Sequence, residues 1–203
     1  MNSNTQTTII GLVFAIIFVF AVFMFINWDG GRSYTINDGI VNATIDENGS
    51  VHIRESYLYS FDGTYNGVTR NIPLKSNEKI KNLKIQTINA YSEYDTDVTS
   101  KDYNITTYLY ADAGKTRKIS DTNVTVIYEY DMNGVVKMGN NHKALFNFKL
   151  KGDSWDKPIN GFTAYVNYPS RDGIIYYINP YEYNSTQTSW ENSTLKISTD
   201  DSI

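Results

Sequence analysis

The tripeptide Gly114-Lys115-Thr116 closes a phosphate-binding loop when a glycine stands five residues earlier and a strand–loop–helix surrounds it. Here that earlier position is Leu109, so phosphate binding is not expected. Asp46, Asn48 and Ser50 have the spacing of the first three ligands of an EF-hand loop. The sixth position is Val51 rather than glycine and the twelfth is Tyr57 rather than glutamate, so DENGS reads as a hairpin turn. His52 and His142 are the two histidines, and cysteine is absent. With no His-x-x-His start, neither a zinc site nor any other cofactor is expected, and both read as sheet or turn residues. The 22 acidic residues could supply a carboxylate pair for glycoside hydrolysis, but they cluster with Gly and Asn in turns. No G-x-S-x-G is present, and two histidines leave little room for a Ser-His-Asp triad. Catalysis is not expected.

Arg70 is a different matter. In FDGTYNGVTRNIPL (61–74) it lies between Val68 and Ile72 on one alternating face, so its guanidinium needs a carboxylate or carbonyl partner. A salt bridge that locks a corner is the first reading; an arginine that grips a ligand is the second. Gly63 and Gly67 are expected to take φ > 0 in a tight reversal. Pro73 has no N–H, which places the segment at a sheet edge or at a strand's first residue.

The elements that would position these groups are strands. VHIRESYLYSF (51–61) puts Val51, Ile53, Glu55, Tyr57, Tyr59 and Phe61 on one face. The same two-residue beat runs through 83–91, 103–111, 123–132, 144–150 and 161–169, and YTINDGIVNATI (34–45) reads as the first strand. Val, Ile, Thr, Tyr and Phe dominate these runs, and the turn-forming clusters DENGS, DMNGV, MGNNH and KGDSWDKP punctuate them, with Asn-Gly the strongest hairpin dipeptide. This pattern predicts an all-β chain, an antiparallel β-sandwich of immunoglobulin-like or related type.

Before the strands, Ile9 to Ile26 reads IIGLVFAIIFVFAVFMFI, eighteen residues without a polar side chain. With the two preceding threonines this makes a helix of about 30 Å, the thickness of a bilayer's hydrocarbon core. A cleaved signal peptide would have a positive n-region and a shorter apolar core, and MNSNTQTT carries no Lys or Arg. The expected organisation is therefore a tail (1–8), one transmembrane helix (9–28), a hinge (29–33) and a β-sandwich domain (34–203). Asp29, Asp38, Asp46 and Glu47 against Arg32 place that domain outside the cytoplasm, on a single-pass protein of the cell membrane. The net charge of −4 argues against nucleic acid as a partner. Six N-x-S/T triplets begin at Asn42, Asn48, Asn104, Asn123, Asn184 and Asn192, candidate glycosylation sites that point weakly to an exported surface. Among the 17 tyrosines, Tyr176, Tyr177, Tyr181 and Tyr183 form the best candidate for an exposed aromatic patch, although most rings are expected to serve packing.

The order YTINDGIVNATIDENGSVHIRESYLYSF, GTYNGVTRNIP, VTVIYEYDMNGVV and HKALFNFKLKGDSWDKPINGFTAYVNYP resembles the exported N-terminal domain of the YciQ-like predicted membrane proteins, a family of unknown function. The likeness spans about residues 34–170. It marks Gly49, Glu55, Phe61, Gly63, Tyr65, Gly67, Arg70, Pro73, Tyr130, Gly134, Trp155, Pro158 and Pro169 as family positions, with no chemical role attached to any of them. Members of that family usually continue into further membrane helices and a cytoplasmic tail, whereas this chain ends at Ile203. The resemblance thus implies either a short variant or a piece of a longer protein. The function expected is binding or scaffolding at the cell envelope, with the membrane and either another envelope protein or a glycan as partners. Its rivals are a glycan-binding module, an envelope carbohydrate-active enzyme and a pilin-like subunit; the last lacks the charged leader and the glutamate of that class.

Overall fold

The strand β2 (Val51–Asp62) shows how local sequence becomes architecture. Its residues alternate buried and half-buried from Val51 to Phe61, and the buried set includes Glu55 among apolar side chains. A strand with that pattern must lay one face on a core, because successive side chains point to opposite sides. Its partner β9 (Asn123–Asn133) carries Val124, Val126, Tyr128, Tyr130 and Met132 on the matching face, in unbroken antiparallel register from Val51↔Met132 to Ser60↔Asn123.

The protein's computed structural model describes residues 31–138, 144–152, 155–172, 174–175 and 186–202. Besides β2 and β9 these form β1 (Ser33–Ile45), β3 (Thr64–Tyr65), β4 (Gly67–Pro73), β5 (Lys79–Ile88), β6 (Tyr91–Val98), β7 (Asp102–Tyr110) and β8 (Ile119–Ser120). The later strands are β10 (Val136–Met138), β11 (Ala144–Phe146), β12 (Asn160–Asn167), β13 (Gln187–Glu191) and β14 (Thr194–Ser202). A seven-stranded sheet runs β13-β14-β12-β1-β2-β9-β5, and a three-stranded sheet runs β4-β7-β6. Ile72, Ile105 and Leu109 from the smaller sheet share one buried cluster with Val41, Tyr57, Val126, Tyr128 and Phe162 from the larger. The domain is all-β, and its core lies where these two sheets meet.

The structure corrects the sequence-based expectation in several places. The larger sheet is mixed, because β1 and β12 pair in parallel from Gly39↔Phe162 to Thr44↔Asn167. Parallel neighbours need a long crossover, and the more than 100 residues between these strands supply it. A seven-plus-three arrangement is also not the strand order of an immunoglobulin domain. The run 83–91 is not one strand: β5 joins the larger sheet and β6 the smaller, and the chain changes layer at Asn89 (φ 65°) and Ala90, whose carbonyl accepts from Thr87 Oγ1. The run 144–150 keeps strand geometry over Ala144–Phe146 alone.

Two glycines play roles other than those expected. Asn133-Gly134 does not close a hairpin, since β10 pairs with β11 and not with β9. Gly134 (φ 84°) instead lies against the loop before β5, where a Cβ would come within 2.2 Å of the Asn77 carbonyl oxygen. Gly67 sits inside β4 without a positive φ; a Cβ there would fall 2.0 Å from the Thr107 carbonyl oxygen of β7. It is glycine for close approach rather than for a turn. Gly67→Ala should therefore lower stability by about 1–3 kcal/mol. Gly114→Ala, where the nearest atom is a side-chain oxygen of Asp112 at 3.2 Å, should stay within about 0.5 kcal/mol. Thermal denaturation of the two variants side by side checks the contrast.

Among the described residues no helix is long and apolar enough to cross a membrane. Residues 9–28, where the anchor is expected, lie outside the described residues, as do His142, Tyr176, Tyr177, Tyr181, Tyr183 and Asn184.

Candidate functional site

Glu55 and Arg70 lie 15 residues apart on strands of different sheets, and the fold brings them face to face in the core. Arg70 Nε donates to Glu55 Oε2 at 2.7 Å and Arg70 Nη2 to Glu55 Oε1 at 3.0 Å, a two-pronged ion pair. Tyr57 Oη donates to Oε2 at 3.1 Å and Tyr130 Oη to Oε1 at 2.7 Å. The carboxylate thus accepts four hydrogen bonds, about its full capacity. Arg70 Nη1 donates to the Asn71 carbonyl at 2.6 Å, and the guanidinium lies 5.0 Å from the centre of the Trp155 ring. Trp155 in turn packs on Tyr57 at 4.4 Å between ring centres and donates from Nε1 to the Lys151 carbonyl. Gly152 closes the cage, because any Cβ there would stand 2.8 Å from Arg70 Nη1.

The electrostatics follow from enclosure. Glu55 is 0% exposed and Arg70 1%. Burial alone works against the charge of Arg70, but the Glu55 carboxylate and its hydrogen bonds outweigh that, and the guanidinium pKa rises well above its ordinary value. Burial, then the negative charge of Glu55, pushes the Tyr57 and Tyr130 hydroxyls well above the usual tyrosine range. Tyr128, whose hydroxyl lies 3.5 Å from Thr107 Oγ1, is pushed up to about 12, chiefly by burial. Tyr59 is raised likewise, and its buried hydroxyl has no hydrogen-bond partner among the described residues. The pair is charge-balanced and buried, and the acceptor capacity of the Glu55 carboxylate is filled. It fastens one sheet to the other.

The remaining family positions serve local geometry. Gly49 (φ 81°) turns β1 into β2, with Asp46 N–H donating to the Ser50 carbonyl. Phe61 and Tyr65 cluster with Tyr34, and Gly63 N–H donates to Asp121 Oδ1 at 2.7 Å. Pro73 ends the edge strand β4, Pro158 precedes the buried Ile159, and Pro169 follows β12. The sequons scatter: Asn42 on β1, Asn48 and Asn192 in turns, Asn104 on β7 bonded to Asn71, and Asn123 at the start of β9. Position 152 carried no separate signal in the sequence beyond being a glycine in a turn cluster.

The motifs first considered for chemistry resolve into turns and surface pairs. Asp112 accepts from Thr116 Oγ1 at 2.8 Å and from the backbone N–H of Arg117 at 2.8 Å, folding GKT into a closed loop. Ser50 bonds Asp46 and Asn48 within the hairpin turn. His52 Nδ1 lies 2.8 Å from Asp131 Oδ1, its cross-strand neighbour. Among the described residues no group of three or more His, Cys, Asp or Glu is placed to hold a metal ion.

The fold and the clasp together define an all-β domain whose two main sheets are locked by a buried ion pair. The chain belongs to the family described as the N-terminal domain of a predicted membrane protein (DUF2207), whose model matches residues 35–202. No curated protein matches it significantly. Among solved structures, yeast LTA4 hydrolase is similar at 8% identity and TM-score 0.42 over 82% of this chain and 26% of that one. An M1 zinc metallopeptidase from Deinococcus radiodurans is similar at 10% identity and TM-score 0.40, over 84% and 39%. A Legionella pneumophila protein described as nutrient-binding is similar at 12% identity and TM-score 0.44, over 83% and 63%. This chain therefore spans less than two thirds of each, and at TM-scores below 0.5 none bears on its activity.

Proposed function

We propose that this chain is a membrane-anchored, extracytoplasmic domain that binds or scaffolds other envelope components and carries out no catalysis itself. The observation that carries the reading is the enclosure of the clasp: the most strongly perturbed ionisable groups, Arg70, Tyr57, Tyr59 and Tyr130, are all committed to the core. Perturbed groups mark active sites when they line a cleft, whereas these four are almost wholly buried. Asp112, Asp121 and Asp131 are each held below the usual carboxylate range, Asp112 and Asp121 chiefly by backbone N–H donors and Asp131 by His52. A general acid for glycoside cleavage needs the opposite shift. The apolar run Ile9–Ile26 supports the anchor, and the acidic residues after it support the orientation.

Fractionation of cells expressing the full chain with a C-terminal tag tests this. The protein should sediment with membranes, resist alkaline extraction, dissolve in detergent and lose its tag to protease added outside spheroplasts. Recovery in the soluble fraction, or a tag protected from external protease, would overturn the placement.

A further inference from the structure

The two sheets leave four edge strands: β13 and β5 in the larger, β4 and β6 in the smaller. An open edge offers unpaired N–H and C=O groups, and folded proteins guard theirs with shortness, lysine, proline or a bulge. Strand β13 is only 5 residues long, and β4 ends in Pro73. Strand β5 carries Lys79, Lys81 and Lys84, and its register breaks between Lys81 and Lys84, where Asn82 has φ 54°. Strand β6 has no lysine, proline or register break; its one guard is the row Glu93, Asp95 and Asp97, which repels acidic strands and not basic ones. Its 8 residues, YSEYDTDV, pair with β7 without a register break from Tyr91↔Tyr110 to Val98↔Tyr103. Among the described residues its other edge meets no strand.

The two faces of β6 differ in chemistry. Directly opposed residues share a face, so Glu93, Asp95 and Asp97 stand with Tyr108, Thr106 and Asn104 on the outer side. Tyr94 and Thr96 stand with Thr107 and Ile105, which are fully buried in the core. Yet Tyr94 is 44% exposed and Val98 55%, so the core-side face of this sheet runs on past its cover. Glu93 is already paired with Lys115 Nζ at 2.6 Å, and Asp95 accepts only a longer bond from Tyr108 Oη at 3.3 Å. Asp95 and Asp97 therefore hold charge that no cation on β6 or β7 offsets.

We infer that β6 is a strand-addition site for an extended segment of a partner protein in which lysine or arginine alternates with apolar residues. A strand laid beside β6 sends successive side chains to opposite faces. One set meets Asp95 and Asp97; the other continues the apolar face at Tyr94 and Val98. A second copy's β6 does not fit, because it would set these carboxylates against their own kind. The inference rests on reading the domain as a binding module and names the class of partner.

The test uses the full chain and a labelled, acetylated peptide of alternating lysine and valine matched to β6 in length. Binding should saturate, slow hydrogen exchange in β6, and weaken about tenfold or more in Asp95→Lys/Asp97→Lys, whose thermal midpoint should match the parent. Asp97→Asn, a milder change, should weaken binding in the same direction. A glutamate–valine peptide, and the lysine–valine peptide interrupted by proline, should not bind. Absence of saturable binding, equal binding by both charge variants, protection away from β6, or self-pairing of the chain through β6 would each overturn the inference. Peptide binding by a chain that fails to reach the membrane fraction sinks only the anchored reading; membrane retention without peptide binding sinks only this one.

Discussion

Arg70→Met is expected to destabilise the domain by about 3–5 kcal/mol, the usual consequence of removing one partner of a buried ion pair. Methionine fills much of the space and keeps an apolar contact with Trp155, so the loss reports charge rather than volume. What remains is Glu55, 0% exposed, with two tyrosine hydroxyls as its donors and no counter-ion. Adding Glu55→Gln to Arg70→Met should recover at least half of the loss, since a neutral amide can still bond Tyr57 and Tyr130. Such non-additivity is the signature of a directly coupled pair. Arg70→Lys should fall between, because an ammonium keeps the charge but loses the two-pronged geometry and the stacking on Trp155. Urea denaturation of the parent, these three variants and Glu55→Gln alone measures the order and the coupling. A single Arg70→Met variant within about 1 kcal/mol of the parent would show that the clasp does not hold the sheets together.

Alkaline pH should unfold the domain steeply. Tyr57, Tyr59, Tyr128 and Tyr130 all have folded-state pKa values above the ordinary 10, with burial the first cause in each. The unfolded chain releases these protons near pH 10 while the native state keeps them. The stability contributed by their neutral forms is therefore whole below pH 10 and is lost as pH rises toward the folded values. Each lagging group contributes about 1.4 kcal/mol per pH unit, so four contribute about 5.6 kcal/mol per unit until Tyr128 titrates at about 12 and three remain. Against a typical total of about 5–15 kcal/mol, unfolding falls between about pH 11 and 13. Circular dichroism and tyrosinate absorbance recorded together check this: a block of tyrosines should ionise only as the sheet signal collapses. Tyr128→Phe should make the loss per pH unit about a quarter shallower. Gradual ionisation of all the rings with the sheet signal intact would contradict the burial.

Which residues face inward was readable along the chain, because a strand's side chains alternate and the consequence is local. The period of β2 alone put Glu55 on the same face as Val51, Ile53 and Tyr57, and Arg70 between Val68 and Ile72 demanded a partner. Alternation names a face but not the sheet that will cover it, so the meeting of Glu55 with Arg70 under Trp155 and Gly152 was decided by tertiary packing. The same holds for the parallel contact of β1 with β12, and for the break at Asn89 that sends β5 and β6 to different layers. Gly67 and Gly134 are the sharpest cases. Sequence marks a glycine as permissive, but only the carbonyl of a strand or loop distant along the chain, arriving within 2.2 Å of where a Cβ would stand, makes it obligatory.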